Sequence, residues 1–330
     1  MIVSNEKLSR RAYIVVVLLI ALALLAGYIP RLSPLAHIAT PPSVLLAGLL
    51  YALVFGCPYK KFNKKASKML LQYSIVGLGF GMNLQASLAS GSDGMIFTIV
   101  SVFGTLAIGW FIGRKLLSID RNTSYLISSG TAICGGSAIA AVAPILKAKD
   151  SEISVALGTV FILNAVALFI FPMIGHALGM NDQQFGLWAA IAIHDTSSVV
   201  GAGAAYSEAA LEIATTVKLT RALWIIPVAL FSAVIFKSKE QKINIPWFIL
   251  LFVAAMVINT YALDGYPGVG SAINGIARKG LTLTMFFIGA SLSMDVIKSV
   301  GIKAFMQGVI LWLIISAVTL GYIFFAIFVL

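Results

Sequence analysis

Residues 132–140 read AICGGSAIA and residues 192–200 read AIHDTSSVV, and the two stretches align position by position. Glycine is unfavourable inside a helix and often marks its end, whereas Ser, Thr and Asp are preferred at the N-cap of a helix that restarts. Both stretches lie inside apolar segments, near 122–147 and 183–205, that are rich in small residues and poor in Leu and Phe. The pattern predicts a repeated unit in which each segment is a broken or re-entrant membrane helix.

The composition places the chain among membrane proteins. Of its 330 residues, 60% are hydrophobic and 11% are charged, and its mean hydropathy is +0.99. Soluble domains are about half apolar and about a quarter charged. Long apolar runs favour helices, because a membrane β-barrel has short segments of alternating polarity. Besides the two interrupted segments, spans are predicted near 13–29, 42–57, 66–89, 94–117, 151–175, 210–236, 246–263, 276–296 and 304–328.

Basic residues between the spans set the expected orientation. Lys7, Arg10 and Arg11 place the N-terminus in the cytoplasm, and the lysine cluster at 60–68 returns to that side. Lys147 lies outside if segment 122–147 crosses fully, and inside if the segment turns back. The sequence leaves both topologies open.

A second, weaker internal similarity pairs residues 78–83 with 288–293. If both interrupted segments are re-entrant, both pairs of similar segments are related by the same symmetry. This predicts an inverted repeat, which is typical of secondary transporters. We therefore expect an all-α polytopic membrane fold with about nine to eleven segments, whose two interruptions lie at the bilayer midplane. The expected parts are an extra N-terminal helix at 1–40, a first half at 41–176 and a second half at 177–330.

The interrupted helices carry the candidate substrate site. A restarted half-helix offers free N–H groups and the positive end of a dipole, so two such ends would suit an anion. Close packing through small residues is the alternative, but it explains the polar run at 195–198 poorly. The candidate substrate-binding residues are Thr131, Gly135, Gly136, Ser137, Thr196, Ser197, Ser198, Lys218, Arg221 and Asn83.

His194 and Asp195 are the candidate coupling residues, because an ionisable pair inside an apolar segment is costly and marks function. Either side chain could carry a coupling proton. Alternatively, Asp195 caps its half-helix and His194 donates to a backbone carbonyl.

Two further cations lie on one face of a predicted span. Lys218 and Arg221 are three residues apart. Lys218 could snorkel to the interface, but Arg221 lies deeper and would need a polar cavity, Asp195 or the substrate. Two cations against one carboxylate favour an anionic substrate. Asn164, in another apolar span, is expected to bond a freed backbone carbonyl.

Signatures of other functions are absent from the sequence. It has no G-x-x-x-x-G-K phosphate loop, no H-E-x-x-H and no C-x-x-C. Cys57 and Cys134 are expected to be apolar fillers, and Gly109-x-x-x-Gly113 is a candidate helix-packing motif. The net charge of +11 fits the orientation of membrane spans, so no nucleic-acid partner is expected. We expect no cofactor, no metal and no enzymatic activity.

At these segments the sequence resembles the YeiH-like family of bacterial inner-membrane proteins, whose family-level label is sulfate export. The resemblance covers nearly the whole chain and rests on residues 76–83, 130–141 and 192–201. It implies the fold of the cation–proton antiporter and anion transporter superfamily, with inverted repeats and a mobile core domain that carries the substrate. It also implies the bacterial cytoplasmic membrane, and transporters of this architecture often form homodimers.

These features predict a secondary active transporter of a small anion, either sulfate or a related sulfur or carboxylate oxyanion. It would work by alternating access in the lipid bilayer, with a proton or sodium ion as the candidate coupling ion. The alternatives are a cation–proton antiporter that uses Asp195, a passive channel and a non-transporting sensor. The sequence leaves the direction of transport open.

Overall fold

The computed structural model describes residues 6–26, 39–85, 95–236, 247–263, 265–291 and 300–327, and these residues contain helices and no strands. The α-helices are α1 (Glu6–Ala26), α2 (Pro41–Phe55), α3 (Lys60–Gly79), α4 (Met95–Phe111), α5 (Arg121–Ala132), α6 (Gly136–Val142), α7 (Asp150–Ala177), α8 (Asp182–Ala192), α9 (Thr196–Tyr206), α10 (Glu208–Ala222), α11 (Ile225–Ile235), α12 (Trp247–Val257), α13 (Pro267–Ser291) and α14 (Ile302–Ile327). Short π-helical turns continue α4 over Ile112–Leu116 and α12 over Ile258–Ala262.

The predicted all-α polytopic membrane fold is confirmed. Within the described residues, five helical stretches are long and apolar enough to cross a membrane: Glu6–Ala26, Thr98–Leu116, Asp150–Ala177, Glu208–Ile235 and Ile302–Phe325. Pro41–Phe55 and Trp247–Ala262 are shorter apolar helices. The chain is therefore a multi-pass membrane protein.

Three helices begin well before the predicted spans, and the first of them, α1, begins at Glu6 where the span was predicted near residue 13. α3 begins at Lys60 and α13 at Pro267, because lysine is a good helix former and proline suits a first helical turn. A search for apolar windows misses such polar starts. Arg278 and Lys279 consequently lie in the middle of α13 and not near its beginning.

The helices form two compact units, each built from two parts of the chain. The first unit comprises residues 1–86 and 246–294, and the second comprises residues 87–245 and 295–330. These units are defined by contact, whereas the predicted halves are defined by symmetry. The halves and the inverted relation between them therefore stay predictions.

In the first unit, α13 packs closely against α2 and α3. A Cβ atom on Gly77 would lie 2.6 Å from Cβ of Ala277, and one on Gly48 would lie 2.9 Å from the backbone nitrogen of Ala290. Only glycine permits these approaches. The similar segments 78–83 and 288–293 both belong to this unit, although positions 292 and 293 lie outside the described residues.

Hydrogen bonds also hold α1 in the first unit. The Tyr13 hydroxyl donates to Oδ1 of Asn63, and the Tyr51 hydroxyl donates to the carbonyl oxygen of Ser9 at 2.7 Å. These polar contacts fix a helix whose other faces are largely apolar and exposed.

In the second unit, an aromatic core positions α8. The rings of Phe171 on α7 and Trp188 on α8 stack with their centroids 4.2 Å apart. The Trp188 indole nitrogen donates to the carbonyl oxygen of Ser316 on α14 at 3.2 Å. Because α8 is held against both neighbours, the interruption that follows it has a fixed place.

Candidate functional site

The first interruption separates α5 from α6. α5 ends at Ala132, and α6 restarts at Gly136. Gly135 has a φ of 68°, a left-handed conformation that favours glycine, and its N–H donates to the Gly130 carbonyl at 2.8 Å. The Gly-Gly pair thus breaks the helix where the sequence predicted a break.

The second interruption separates α8 from α9 at the equivalent positions. α8 ends at Ala192, Ile193 is extended, and α9 restarts at Thr196. The Asp195 side chain accepts hydrogen bonds from the N–H groups of Ser197 at 3.0 Å and Ser198 at 3.4 Å, and from the Ser197 hydroxyl. Asp195 therefore caps α9, which is one of the two roles that the sequence allowed.

The two interruptions lie against each other. A Cβ atom on Gly135 would lie 3.2 Å from the His194 carbonyl oxygen and 3.4 Å from Cα of Asp195. Glycine at this position serves both the left-handed backbone and the close approach. The polar residues of both breaks thus share one buried region of the second unit.

Two cations of α10 hold the ends of the first half-helices. Lys218 Nζ donates to the Ile193 carbonyl at 2.7 Å, and Arg221 Nε donates to the Ala132 carbonyl at 2.8 Å. Both contacts place positive charge at the negative end of a helix dipole. Lys218 is 0% exposed, so the expectation that it snorkels to the interface is wrong.

Arg221 is also buried, at 1% exposed, and its Nη1 donates to the Ser101 hydroxyl at 2.7 Å. Its hydrogen-bond partners are therefore a carbonyl and a hydroxyl, and not Asp195. Among the described residues, no acidic side chain lies within 4.0 Å of the charged nitrogens of Lys218 or Arg221. The region therefore buries two cations and places one carboxylate beside them.

Several buried polar atoms in this region have no hydrogen-bond partner among the described residues. They are Thr131 Oγ1, Asn164 Nδ2, both ring nitrogens of His194, and Arg221 Nη2. A buried polar group without a partner costs about 1–3 kcal/mol, so such groups mark the place of a ligand or a water molecule.

Asn164 corrects one expectation and His194 another. Asn164 Oδ1 accepts the N–H of His194 at 3.0 Å, so it bonds a freed N–H group and not a freed carbonyl. This bond fixes the amide orientation and leaves Nδ2 directed elsewhere. His194 is 0% exposed, and its ring donates to no carbonyl among the described residues. The alternative prediction that His194 donates to a backbone carbonyl is therefore wrong.

The remaining candidates are placed as follows. Thr196, Ser197 and Ser198 are buried in the first turn of α9, whereas Gly136 is half-buried and Ser137 is exposed. Asn83 belongs to the first unit, where its Oδ1 accepts the N–H of Gln85 at 2.9 Å. Ser101 was missed because a serine in an apolar helix is a weak signal without its tertiary partner.

The fold and the site define a class: a multi-pass α-helical membrane protein in which two interrupted helices meet and are held by cations of a third helix. Residues 14–308 match the family described as Conserved hypothetical protein 698, and the chain belongs to this family. The resemblance to YeiH-like proteins is confirmed by this match and by the relatives below.

The relatives cover nearly the whole chain. A UPF0324 membrane protein of Bacteroides thetaiotaomicron is 67% identical over 317 residues, which are 96% of each chain. One of Porphyromonas gingivalis is 61% identical over 321 residues, or 97% of each chain. One of Vibrio vulnificus is 49% identical over 290 residues, or 86% of this chain and 92% of that one. No solved structure matches the chain.

Proposed function

We propose that this membrane protein is a secondary active transporter of a small anion, which binds where the two interruptions meet. The observation that carries the proposal is the set of buried hydrogen-bond donors there that lack partners among the described residues: Arg221 Nη2, Asn164 Nδ2 and the His194 ring. Sulfate or a related sulfur or carboxylate oxyanion is the proposed substrate class.

The chemistry of these atoms favours an acceptor-rich ligand. The guanidinium and amide nitrogens only donate, while a neutral imidazole supplies one donor and one acceptor. A ligand that satisfies them needs several oxygen acceptors and few donors of its own. An oxyanion has this character, and a metal ion or an ammonium group has the opposite one.

The charge balance favours the same class. Lys218 and Arg221 are fully buried, and within the described residues the two interruptions contain one acidic side chain, that of Asp195. The electrostatic penalty for buried charge falls when opposite charge enters the same low-dielectric region. A bound anion would offset the surplus positive charge, whereas a bound cation would add to it.

We expect the hydrogen bonds to the anion to come from side chains more than from the backbone N–H groups at the helix N-termini. Asp195 already accepts the Ser197 and Ser198 N–H groups, so the start of α9 is taken by the protein's own carboxylate. α6 has seven residues and no side-chain cap. We therefore assign the anion to Arg221, Asn164, His194 and Thr131, and keep the other candidates of the two breaks as residues that flank it.

The proposed mechanism is alternating access. Because both first half-helices are bonded to α10, the two interruptions and the anion between them would move as one body. His194 or Asp195 would carry a coupling proton, and the protein is expected in the bacterial cytoplasmic membrane with its N-terminus in the cytoplasm.

A thermal-shift screen of the purified protein against small anions tests the proposal. A ligand present at 100 times its Kd stabilises the folded state by about 2.7 kcal/mol. We expect sulfate or a chemically related anion to raise the melting temperature and to show saturable uptake into proteoliposomes. Flux that follows a sodium or proton gradient without any anion would indicate a cation–proton antiporter, and conductance without saturation would indicate a channel.

A further inference from the structure

A second polar cluster lies in the second unit between α4, α5 and α14. Gln307 of α14 is 0% exposed, and its Nε2 donates to the Gly109 carbonyl at 2.9 Å and the Ser124 carbonyl at 3.0 Å. The hydroxyl of Ser128 lies 3.1 Å from the same nitrogen. We use "seam" for the contact between α4, its π-helical turn and α5 at Gly109, Gly113, Ser124 and Ser128, together with Thr131, which lies on the same face of α5 one turn beyond Ser128.

The two glycines of the Gly109-x-x-x-Gly113 motif make room for this cluster. A Cβ atom on Gly109 would lie 2.8 Å from Cβ of Ser128, and one on Gly113 would lie 2.7 Å from Oε1 of Gln307. The motif therefore admits hydroxyl and amide groups between helices, beyond the packing role that the sequence suggested. Gly113 also lies in a π-helical turn, a feature frequent at functional sites.

Gln307 Oε1 is the atom that points to a ligand. It is buried and has no hydrogen-bond partner among the described residues. The amide orientation is fixed because Nε2 faces two backbone carbonyls, which only accept. Oε1 thus needs a donor that the described chain does not supply. Water fits, because the neighbouring carbonyls that a cation would need are already bonded to Nε2.

The seam leads from an exposed end of α5 to the interruptions. Ser124, Ser128 and Thr131 lie on one face of α5 over about 10 Å. Ser124 is one turn from Asp120, which is exposed, and Thr131 precedes Ala132, whose carbonyl accepts from Arg221. Thr131 Oγ1 also lacks a described partner, so unsatisfied polar atoms occur at both ends of the seam.

We propose that the seam binds a file of water molecules that carries protons from the exposed start of α5 to the interruptions. The file is anchored at Gln307 Oε1 and ends at Thr131 Oγ1, which can accept a hydrogen bond from water while it donates to the anion. Each step passes one proton from a water oxygen to the next, so no other reactant is required. The inference that the seam binds water does not depend on the proposed function. The inference that this water carries the coupling proton rests on the proposed anion transport.

The test compares Gln307→Leu with Leu311→Met. Gln307→Leu removes both polar atoms at similar volume, whereas Leu311→Met changes an apolar neighbour on the same helix and keeps them. In proteoliposomes we expect Gln307→Leu to reduce pH-gradient-driven sulfate accumulation at least about tenfold and to keep sulfate–sulfate exchange within about twofold. Leu311→Met should keep both activities.

Experimental density that resolves water gives a readout independent of transport. We expect a water molecule bonded to Gln307 Oε1 in the wild-type protein and its loss in Gln307→Leu. An empty seam in the wild type, or pH-driven accumulation unchanged in a folded Gln307→Leu protein, would overturn the inference. A hydrated seam in a protein that neither binds nor exchanges any anion would support the water file and reject the proposed function.

Discussion

Lys218 donates from Nζ to the carbonyl oxygen of Ile193 at 2.7 Å, so the end of one interrupted helix is bonded to the helix that also holds the other through Arg221. One face of α10 therefore positions both breaks. The arrangement stabilises two buried cations with helix dipoles and carbonyls, and it leaves part of Arg221 available to a ligand.

The first prediction concerns the geometry of Arg221. Its Nε and Nη1 bond the protein, and Nη2 is the nitrogen without a described partner. Arg221→Lys keeps the charge, but its single nitrogen replaces three nitrogens that are spread over a planar group, so it cannot reach Ala132, Ser101 and a ligand together. We expect at least about a tenfold loss of sulfate affinity in a thermal-shift titration. The control Lys115→Gln removes an exposed charge and should bind sulfate normally. Equal affinity in wild type and Arg221→Lys would argue against this role.

The second prediction concerns the contact between the breaks. Gly135→Ala meets both a positive φ and a Cβ position 3.2 Å from the His194 carbonyl. Gly179 has a similar φ of 63° but nothing within 4 Å of its Cβ position. We expect Gly135→Ala to lower the free energy of unfolding by about 2–3 kcal/mol and Gly179→Ala by about 1 kcal/mol, as measured by denaturation in detergent. Equal losses would mean that the close approach is not as described.

The third prediction separates the two roles of Asp195. Asn caps a helix about as well as Asp, so Asp195→Asn should keep the free energy of unfolding within about 1 kcal/mol, whereas Asp195→Ala should lose about 1 kcal/mol more. Removing the negative charge should strengthen sulfate binding at least about threefold. If a folded Asp195→Asn protein bound sulfate more weakly, the carboxylate would be needed at the site and the anion assignment would be in error.

The fourth prediction concerns Asn164. Its Oδ1 accepts the His194 N–H, and its Nδ2 is free among the described residues. Asn164→Asp keeps the acceptor but replaces the donor with negative charge, so stability should hold while sulfate affinity falls. Asn164→Leu also leaves the His194 N–H unbonded and should cost a further 1–3 kcal/mol or so of stability. Melting curves with and without sulfate separate the two effects, and sulfate binding by Asn164→Asp at wild-type strength would contradict them.

The sequence predicted features that depend on local chemistry. The breaks follow from Gly135 and from the Asp195 cap, both of which act within one turn of the chain. Most spans follow from apolar windows. The early starts of α1, α3 and α13 were missed because their first turns carry charged residues or proline and are not apolar.

The partners of the buried cations could not be predicted in this way. Lys218 bonds a residue 25 positions away and Arg221 one 89 positions away, and neither partner is a side chain with a recognisable signal. The sequence therefore suggested snorkelling or an Asp195 pair. Gln307 is an amide within an apolar span, and the sequence alone does not interpret it, because its role depends on the glycines and serines that surround it.

The most direct test is a structure of the protein with selenate, a sulfate analogue whose selenium scatters anomalously. The account predicts one anomalous peak between the two interruptions, within hydrogen-bond distance of Arg221 Nη2 and beside Asn164 and His194. A peak elsewhere in the membrane region, or none there at a concentration that saturates the thermal shift, would contradict the account.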